Sequence, residues 1–244
     1  MKTQKSKMKD SLNFVSLPYE KYRSYIVLID MGFIWRLCSP LKEDREKDEL
    51  RYTWRDYAKK IYELILSRHR NASIFILVND PYDVNENIKD IEHQNRKENY
   101  QGGSKNVIIK ANNNFPSPRE FNEFFTNKKN KMRLQAFLKQ EISEFLSQDD
   151  KNMFYSVQRE CHDLKTMERI EEFECIKTEA GQILFFLYSP IRRKGVSDTV
   201  IIDAEDTDVI VLSARVAHEI DGDLGIKLKK NTFDCKKLCT PSFA

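Results

Sequence analysis

Three short apolar runs that each finish at or beside an acidic residue constrain the fold of this chain more than any other feature. The runs are Tyr25–Asp30 (YIVLID), 73–78 (SIFILV, followed by Asn79 and Asp80) and Thr199–Asp203 (TVIID). Each run has the length and the β-branched content of a buried strand. Because none of them alternates with polar residues, both faces of the resulting sheet must be covered by other elements.

The segment between the first two runs indicates how these strands are connected. Residues 54–68 (WRDYAKKIYELILSR) place Tyr57, Ile61 and Ile65 at helical spacing, which predicts an amphipathic helix. A strand, a helix and a second strand in this order form a right-handed parallel crossover, which brings Asp30 and Asp80 to one edge of the sheet. We therefore predict an α/β fold, a three-layer α/β/α domain with a central, mostly parallel sheet.

Later segments fit the same class. Residues 115–148 are predicted to be helical, 153–157 to form a third strand, and 178–192 to form a helix with Thr178 at its start. Residues 207–220 are predicted to be an amphipathic helix, and 221–230 a turn and the final strand. The helix in the 115–148 segment has an apolar stripe at Leu134, Phe137, Leu138, Ile142, Phe145 and Leu146.

Composition limits the domain organisation and the cellular setting. With 244 residues the chain can form one large domain, so we expect a basic, disordered arm over 1–20 and a single domain over 21–244. No segment has the roughly 20 apolar residues of a membrane span, and the amino terminus has no signal-peptide core. The five scattered cysteines favour reduced thiols, so we expect an intracellular protein, nuclear or cytoplasmic, that does not contact a membrane.

Acidic residues are concentrated where the third apolar run ends. Asp203, Glu205, Asp206 and Asp208 fall within six positions. Carboxylates this close repel one another, so the cluster must be solvated, partly protonated or neutralised by a cation. Asp206 and Asp208 begin the predicted helix and are expected to face a ligand site, whereas Asp203 and Glu205 are expected to be peripheral.

Other acids are predicted to meet this cluster at the carboxyl edge of the sheet, where open α/β sheets bind ligands. The complete candidate set is Asp30, Asp80, Glu179, Asp206 and Asp208. Oxygen ligands suit Mg²⁺ or Mn²⁺, which can activate a water and stabilise the leaving oxygen of a phosphodiester. Glu179 has an alternative role, because an acid in the first turn of a helix also stabilises the helix dipole.

A basic segment follows Asp80. It contains Lys89, Arg96, Lys97 and Lys105, which could bind the phosphate backbone of DNA or RNA beside the acidic site. The alternative is a solvated surface loop, and the sequence favours neither. The net charge of +3 is too small to identify a nucleic-acid-binding protein by itself.

These segments resemble the PIN-like nuclease superfamily, and within it the flap-endonuclease-like branch. The matching residues are Val27-Leu-Ile-Asp30, Leu77-Val-Asn-Asp80-Pro81, Thr178-Glu-Ala180 and Asp203-Ala-Glu-Asp206-Thr-Asp208-Val209. The chain is similar to a group of animal proteins with an Asp-Thr-Asp-Val segment, some of them linked to mobile elements. The resemblance implies a Mg²⁺- or Mn²⁺-dependent endonuclease or 5′-nuclease, with Asp30, Glu179, Asp206 and Asp208 as metal ligands.

The chain departs from that family in two places. Where the similar proteins have Glu-Ala-Asp, this chain has Glu179-Ala180-Gly181, so one acid is replaced by glycine. The family's region beyond the Asp-Thr-Asp helix has no counterpart before Ala244, which implies a domain truncated at its carboxyl terminus. The alternative function is therefore a catalytically degenerate PIN-like module that binds nucleic acid or protein without cleavage.

Overall fold

A computed structural model of the chain describes residues 14–17, 24–39, 52–82, 106–174, 181, 183–184, 199–218, 222–228 and 231–237. In chain order the elements are β1 (Tyr25–Asp30), α1 (Met31–Leu37), α2 (Trp54–Arg68), β2 (Ala72–Val78), α3 (Pro118–Phe124), α4 (Lys128–Leu146), β3 (Asn152–Val157), β4 (Glu160–Asp163), a 3-10 turn (Glu171–Phe173), β5 (Thr199–Asp203), α5 (Thr207–Val216), β6 (Asp223–Leu228), β7 (Asn231–Asp234) and a second 3-10 turn (Cys235–Lys237).

The strands form one seven-stranded sheet in the order β4-β3-β2-β1-β5-β6-β7. The five strands from β3 to β6 in this order pair in parallel, and β4 and β7 pair antiparallel at the two edges. The predicted α/β fold with a mostly parallel sheet is confirmed. Parallel pairing requires crossover connections, and α2 supplies the connection between β1 and β2, as the sequence predicts.

The continuous apolar strands have both faces buried. Alternate residues of β1 belong to different clusters: Val27 and Ile29 pack with side chains of α1, α2, α3 and α4. Ile26 and Leu28 pack with Val209 and other residues on the opposite face of the sheet. Because successive side chains of a strand point to opposite faces, the sheet carries a hydrophobic cluster on each side, which explains why its strands lack polar positions.

The predicted helix over 115–148 is wrong in one respect, because the structure has two helices there. α3 ends at Phe124, and Asn127 begins α4 by accepting hydrogen bonds from the backbone N–H groups of Lys129 and Asn130. An asparagine in this position satisfies the free N–H groups of a new helix. The predicted apolar stripe is confirmed, since Leu134 and Leu138 are fully buried.

Two antiparallel strands were not predicted. β4 follows β3 across a turn at Gln158 and Arg159, and both residues have positive φ. β7 follows β6, so the predicted last strand is next to last. Neither turn carries the Asn-Gly or Asp-Gly signal that identifies a tight hairpin in a sequence.

Several predictions fall partly or wholly outside the described residues. They concern the arm over 1–20, the basic segment, and the helix over 178–192, of which Gly181, Ile183 and Leu184 are described as helical. No helix in the described ranges is long and apolar enough to cross a membrane. Cys38, Cys161 and Cys235 are buried free thiols, and Cys175 and Cys239 lie outside the described residues.

Candidate functional site

Three neighbouring parallel strands bring the candidate carboxylates to one edge of the sheet. β2, β1 and β5 lie side by side, and their registers align Asp30 with Val78 and Ile29 with Asp203. Asp30 ends β1, Asp80 comes two residues after β2, and Asp206 comes three residues after β5. The topology therefore places all three at the carboxyl edge, as the sequence predicts.

Asp30 combines a local structural role with an unfavourable electrostatic setting. Its Oδ1 accepts a hydrogen bond of 2.9 Å from the backbone N–H of Gly32, so the side chain caps α1. Burial of the carboxyl group and the negative charge of Asp80 raise the pKa of Asp30 to about 6, although backbone N–H groups and Arg36 act in the opposite direction. Asp30 is thus held where its ionised form is destabilised, which a bound cation would relieve.

Asp80 is held by two side chains that the sequence did not single out. Tyr82 forms a side-chain hydrogen bond with the Asp80 carboxylate, and burial and the charges of Asp80 and Asp30 raise the pKa of Tyr82. The Nε2 of Gln135 in α4 donates a 2.7 Å hydrogen bond to the backbone oxygen of Asp80. The segment after β2 is therefore fixed to α4 while its carboxylate faces Asp30.

Two buried amide oxygens adjoin this segment. The Nδ2 of Asn79 donates a 2.7 Å hydrogen bond to the backbone oxygen of Ser156 and so ties the end of β2 to β3. The Oδ1 of Asn79 and the Oε1 of Gln135 are buried and accept no hydrogen bond from any described residue. Both side chains thus use their amide nitrogens to hold the end of β2 and the segment that follows it.

Asp206 and Asp208 have a simpler arrangement. Asp206 is the N-cap of α5, where its Oδ1 accepts a 3.1 Å hydrogen bond from the backbone N–H of Asp208. Both side chains are exposed, and Asp208 lies in the first turn of α5. Acids at these positions stabilise a helix whether or not a ligand binds, so their presence alone does not require a metal.

The structure brings Asp30 and Asp80 into electrostatic contact and leaves the rest of the ligand set as a prediction. In the described part of the chain, no three His, Cys, Asp or Glu side chains are grouped so that they could hold a metal ion. Glu179 and the basic residues Lys89, Arg96, Lys97 and Lys105 lie outside the described residues. The oxygen-rich donor set fits Mg²⁺ or Mn²⁺ in its chemistry.

Asp203, which was expected to be peripheral to the ligand site, is held by side chains that are not part of the candidate ligand set. It is fully buried and accepts two hydrogen bonds from Arg68, of 2.8 Å from Nε and 2.7 Å from Nη2. The Nε2 of His69 lies 2.8 Å from the same carboxylate, and the Tyr25 hydroxyl lies 3.4 Å from His69 Nδ1. This carboxylate is neutralised inside the protein and is committed to holding the end of β5 against the end of α2.

Sequence reasoning missed some of these residues for different reasons. Gln135 had a usable signal, because it is a polar residue on the buried face of α4 next to Leu134. Tyr82 follows the Asn-Asp-Pro turn and could have been included with it. Arg68 and His69 had no signal, since their contacts with Asp203 span more than 130 residues of sequence.

Comparison with known proteins does not supply a relative, because no protein-family model and no curated protein matches the sequence. The fold and this edge together define the chain as an α/β protein with a mostly parallel sheet and acidic side chains where its central strands end.

Proposed function

We propose that the chain is a PIN-like, metal-dependent nuclease that hydrolyses phosphodiester bonds in DNA or RNA. The observation that carries this proposal is the pair formed by Asp30 and Asp80 at the carboxyl edge of adjacent strands. Burial, and after it the negative charge of Asp80, raises the pKa of Asp30 to about 6. Holding two carboxylates together costs free energy, and a divalent cation is the partner that offsets this cost.

The residues at this edge are expected to have different roles in metal binding and in positioning. Asp30, Asp206 and Asp208, together with Glu179, would hold Mg²⁺ or Mn²⁺, which when bound activates a water and stabilises the leaving oxygen. Asp80 would orient a water or hold a second cation about 3.5–4 Å from the first. Tyr82 and Gln135 fix Asp80, so they act on the site by positioning.

The alternative is a PIN-like module that binds nucleic acid or protein without cleavage. Gly181 favours it, because the similar proteins carry an acid at this position. A Cβ atom added to Gly181 would lie 3.1 Å from Cγ2 of Val209 in α5. A side chain at residue 181 would therefore require Val209 to shift by a few tenths of an ångström.

A cleavage assay with matched variants separates these functions. The protein is incubated with flapped and single-stranded DNA and RNA in Mn²⁺ or Mg²⁺, alongside Asp206→Asn/Asp208→Asn. Asparagine keeps the N-cap of α5, so the double variant should stay folded. Glu205→Gln, on the same loop, is the control for a lost charge.

We expect the double variant to lose cleavage while Glu205→Gln keeps it. Cleavage that persists unchanged in the double variant would remove Asp206 and Asp208 from the mechanism. If the wild-type protein binds but does not cleave, the non-cleaving module is the better description.

An intracellular location, nuclear or cytoplasmic, belongs to the same proposal. It is supported by the free thiols of Cys38, Cys161 and Cys235. Reduced cysteines are typical of proteins that stay within the cell. Fluorescence microscopy of the tagged full chain would distinguish the two compartments.

A further inference from the structure

Four basic side chains lie on the first two turns of α4. They are Lys128, Lys129, Lys131 and Arg133, here called the α4 basic surface, and the first acidic residue of the helix is Glu141. Lys129 and Arg133 are exposed, and Lys128 and Lys131 are partly exposed. The surface therefore presents concentrated positive charge to solvent.

This surface adjoins the candidate site. α4 belongs to the connection between the parallel strands β2 and β3, so its amino end lies at the carboxyl edge of the sheet. The Nζ of Lys131 lies 4.9 Å from the centroid of the Tyr82 ring, and Tyr82 is hydrogen-bonded to Asp80. The Tyr82 side chain therefore lies between Lys131 and Asp80.

Two hydrogen bonds join this part of α4 to Val107. Arg133 Nη1 donates a 3.0 Å hydrogen bond to the backbone oxygen of Val107, and Asn130 Oδ1 accepts one of 2.9 Å from the Val107 N–H. The side chain of the next residue, Ile108, is 68% exposed, the largest exposure among the large hydrophobic side chains of the described residues. Cations near one exposed apolar group fit phosphates and a neighbouring sugar or base.

The charge distribution also argues for a polyanion. Positive side chains in the first turn of a helix oppose its dipole, and cations at this spacing repel one another. An anion bound to the α4 basic surface would offset both effects. A polyanion would be attracted to the α4 basic surface, and a cation bound at Asp30 and Asp80 would reduce its repulsion by those carboxylates.

We propose that the α4 basic surface binds the phosphate backbone of a nucleic-acid strand and leads it to the Asp30 and Asp80 edge. This proposal deepens the proposed function by naming the surface that holds the substrate. Only its statement that the bound strand is cleaved rests on the proposed function. A membrane is a poorer partner, because Ile108 is a single apolar group and the neighbouring carboxylates would face anionic lipid.

The test measures binding without cleavage. The fluorescence anisotropy of labelled oligodeoxythymidine is followed in EDTA with the full chain and with Lys128→Gln/Lys129→Gln/Lys131→Gln. The triple variant should bind at least about tenfold more weakly, and its plot of log affinity against log salt should be shallower by about 2, or roughly 0.7 for each lost phosphate contact.

A control variant removes the same charge elsewhere. Lys59, Lys165 and Lys237 are exposed and lie outside α4, so Lys59→Gln/Lys165→Gln/Lys237→Gln should bind within about twofold of the wild type and keep its salt dependence. Thermal unfolding of both variants shows whether they are folded.

The remaining outcomes are decisive. Equal losses in the two triple variants, no binding by the wild-type chain, or binding to phosphatidylserine vesicles in place of the oligonucleotide would overturn the proposal. Failure to cleave in Mn²⁺ with α4-dependent binding intact would count against the nuclease and leave this surface in place.

Discussion

His69 and Asp203 lie 2.8 Å apart, from Nε2 to Oδ2, although neither side chain is accessible to solvent. Arg68 holds both oxygens of the same carboxylate, and the Tyr25 hydroxyl can donate to the other ring nitrogen of His69. A histidine that donates from Nε2 and accepts at Nδ1 is neutral, so the buried charge of Asp203 is balanced by Arg68. The ion pair between Arg68 and Asp203 therefore connects the end of α2 to the end of β5, the strand that precedes Asp206.

Removing Arg68 should destabilise the fold. Arg68→Met keeps the aliphatic part of the side chain but leaves the carboxylate of Asp203 buried without its cation. We expect a loss of about 3 kcal/mol or more in the free energy of unfolding, measured by urea denaturation. Arg70→Met, at an exposed position after α2, should change it by less than about 0.5 kcal/mol. Similar losses in the two variants would refute a structural role for this ion pair.

His69 should make stability depend on pH. Burial, with Lys227 and Arg68, lowers the pKa of His69 below 6.5. Below pH 6.5 the unfolded chain then binds more protons than the folded chain, so stability falls as the pH falls towards the pKa in the folded state. The slope is at most about 1.4 kcal/mol per pH unit. His69→Gln should remove this contribution, so the difference in the free energy of unfolding between the variant and the wild type should change with pH, as urea denaturation between pH 7.5 and 5, chosen to span about 6.5, would show.

Asp30 should affect the pH dependence of stability in the opposite direction to His69. Its pKa is raised to about 6 by burial and by Asp80, so the stability it contributes is present below pH 3.8 and is lost as the pH rises through 6. Asp30→Asn keeps the cap of α1 and removes the repulsion, so it should stabilise the protein at pH 7.5 by about 1–2 kcal/mol, a value that allows for partial exposure to solvent. The gain should vanish near pH 4.

A bound cation should make the wild-type protein more stable than Asp30→Asn. If Asp30 and Asp80 bind Mn²⁺, the ion stabilises the wild-type protein and raises its melting temperature with concentration, and Asp30→Asn loses that rise. EDTA should restore the lower melting temperature of the wild type. Equal shifts with Mn²⁺ in the two proteins would contradict a metal site at Asp30, whatever the pH profile shows.

The fold was largely predictable because its strands carry their own signal. Runs such as Tyr25–Asp30 are apolar along their whole length only when both faces are buried, and this restricts them to the interior of a parallel sheet. The missed elements lack such a signal: β4 and β7 are four-residue edge strands with few apolar residues. The break before α4 depends on the single cap at Asn127, which an apolar stripe does not reveal.

The candidate site was predictable only as far as chain topology determines it. Acids that follow parallel strands must lie at the carboxyl edge, which is why Asp30 and Asp80 meet. The side chains that hold them come from elsewhere, as Gln135 does from α4. The contacts of Asp203 were not predictable for the same reason, because Arg68 and His69 lie more than 130 residues away from it in sequence.

Gln135 should control the order of the Asp80 segment more than the stability of the fold. Gln135→Met loses the hydrogen bond to the Asp80 oxygen but also removes a buried Oε1 that has no partner among the described residues. These effects oppose each other, so the free energy of unfolding should change by less than about 1.5 kcal/mol. Hydrogen exchange at the amides of Asp80 and Tyr82 should become faster. Unchanged exchange there, compared with the exposed control Gln140→Met, would contradict this positioning role.

Gly181 offers a test of whether the chain has lost a metal ligand. Gly181→Asp alone should destabilise the protein, because its Cβ would lie 3.1 Å from Cγ2 of Val209. Val209→Ala removes that methyl group, so Gly181→Asp/Val209→Ala should fold and, if residue 181 faces the acidic edge, bind Mn²⁺ at least about tenfold more tightly than Gly181→Asn/Val209→Ala. Electron paramagnetic resonance of free Mn²⁺ measures both affinities. Equal affinities would show that an acid at residue 181 does not reach the metal, and the degenerate-module function would lose its main support.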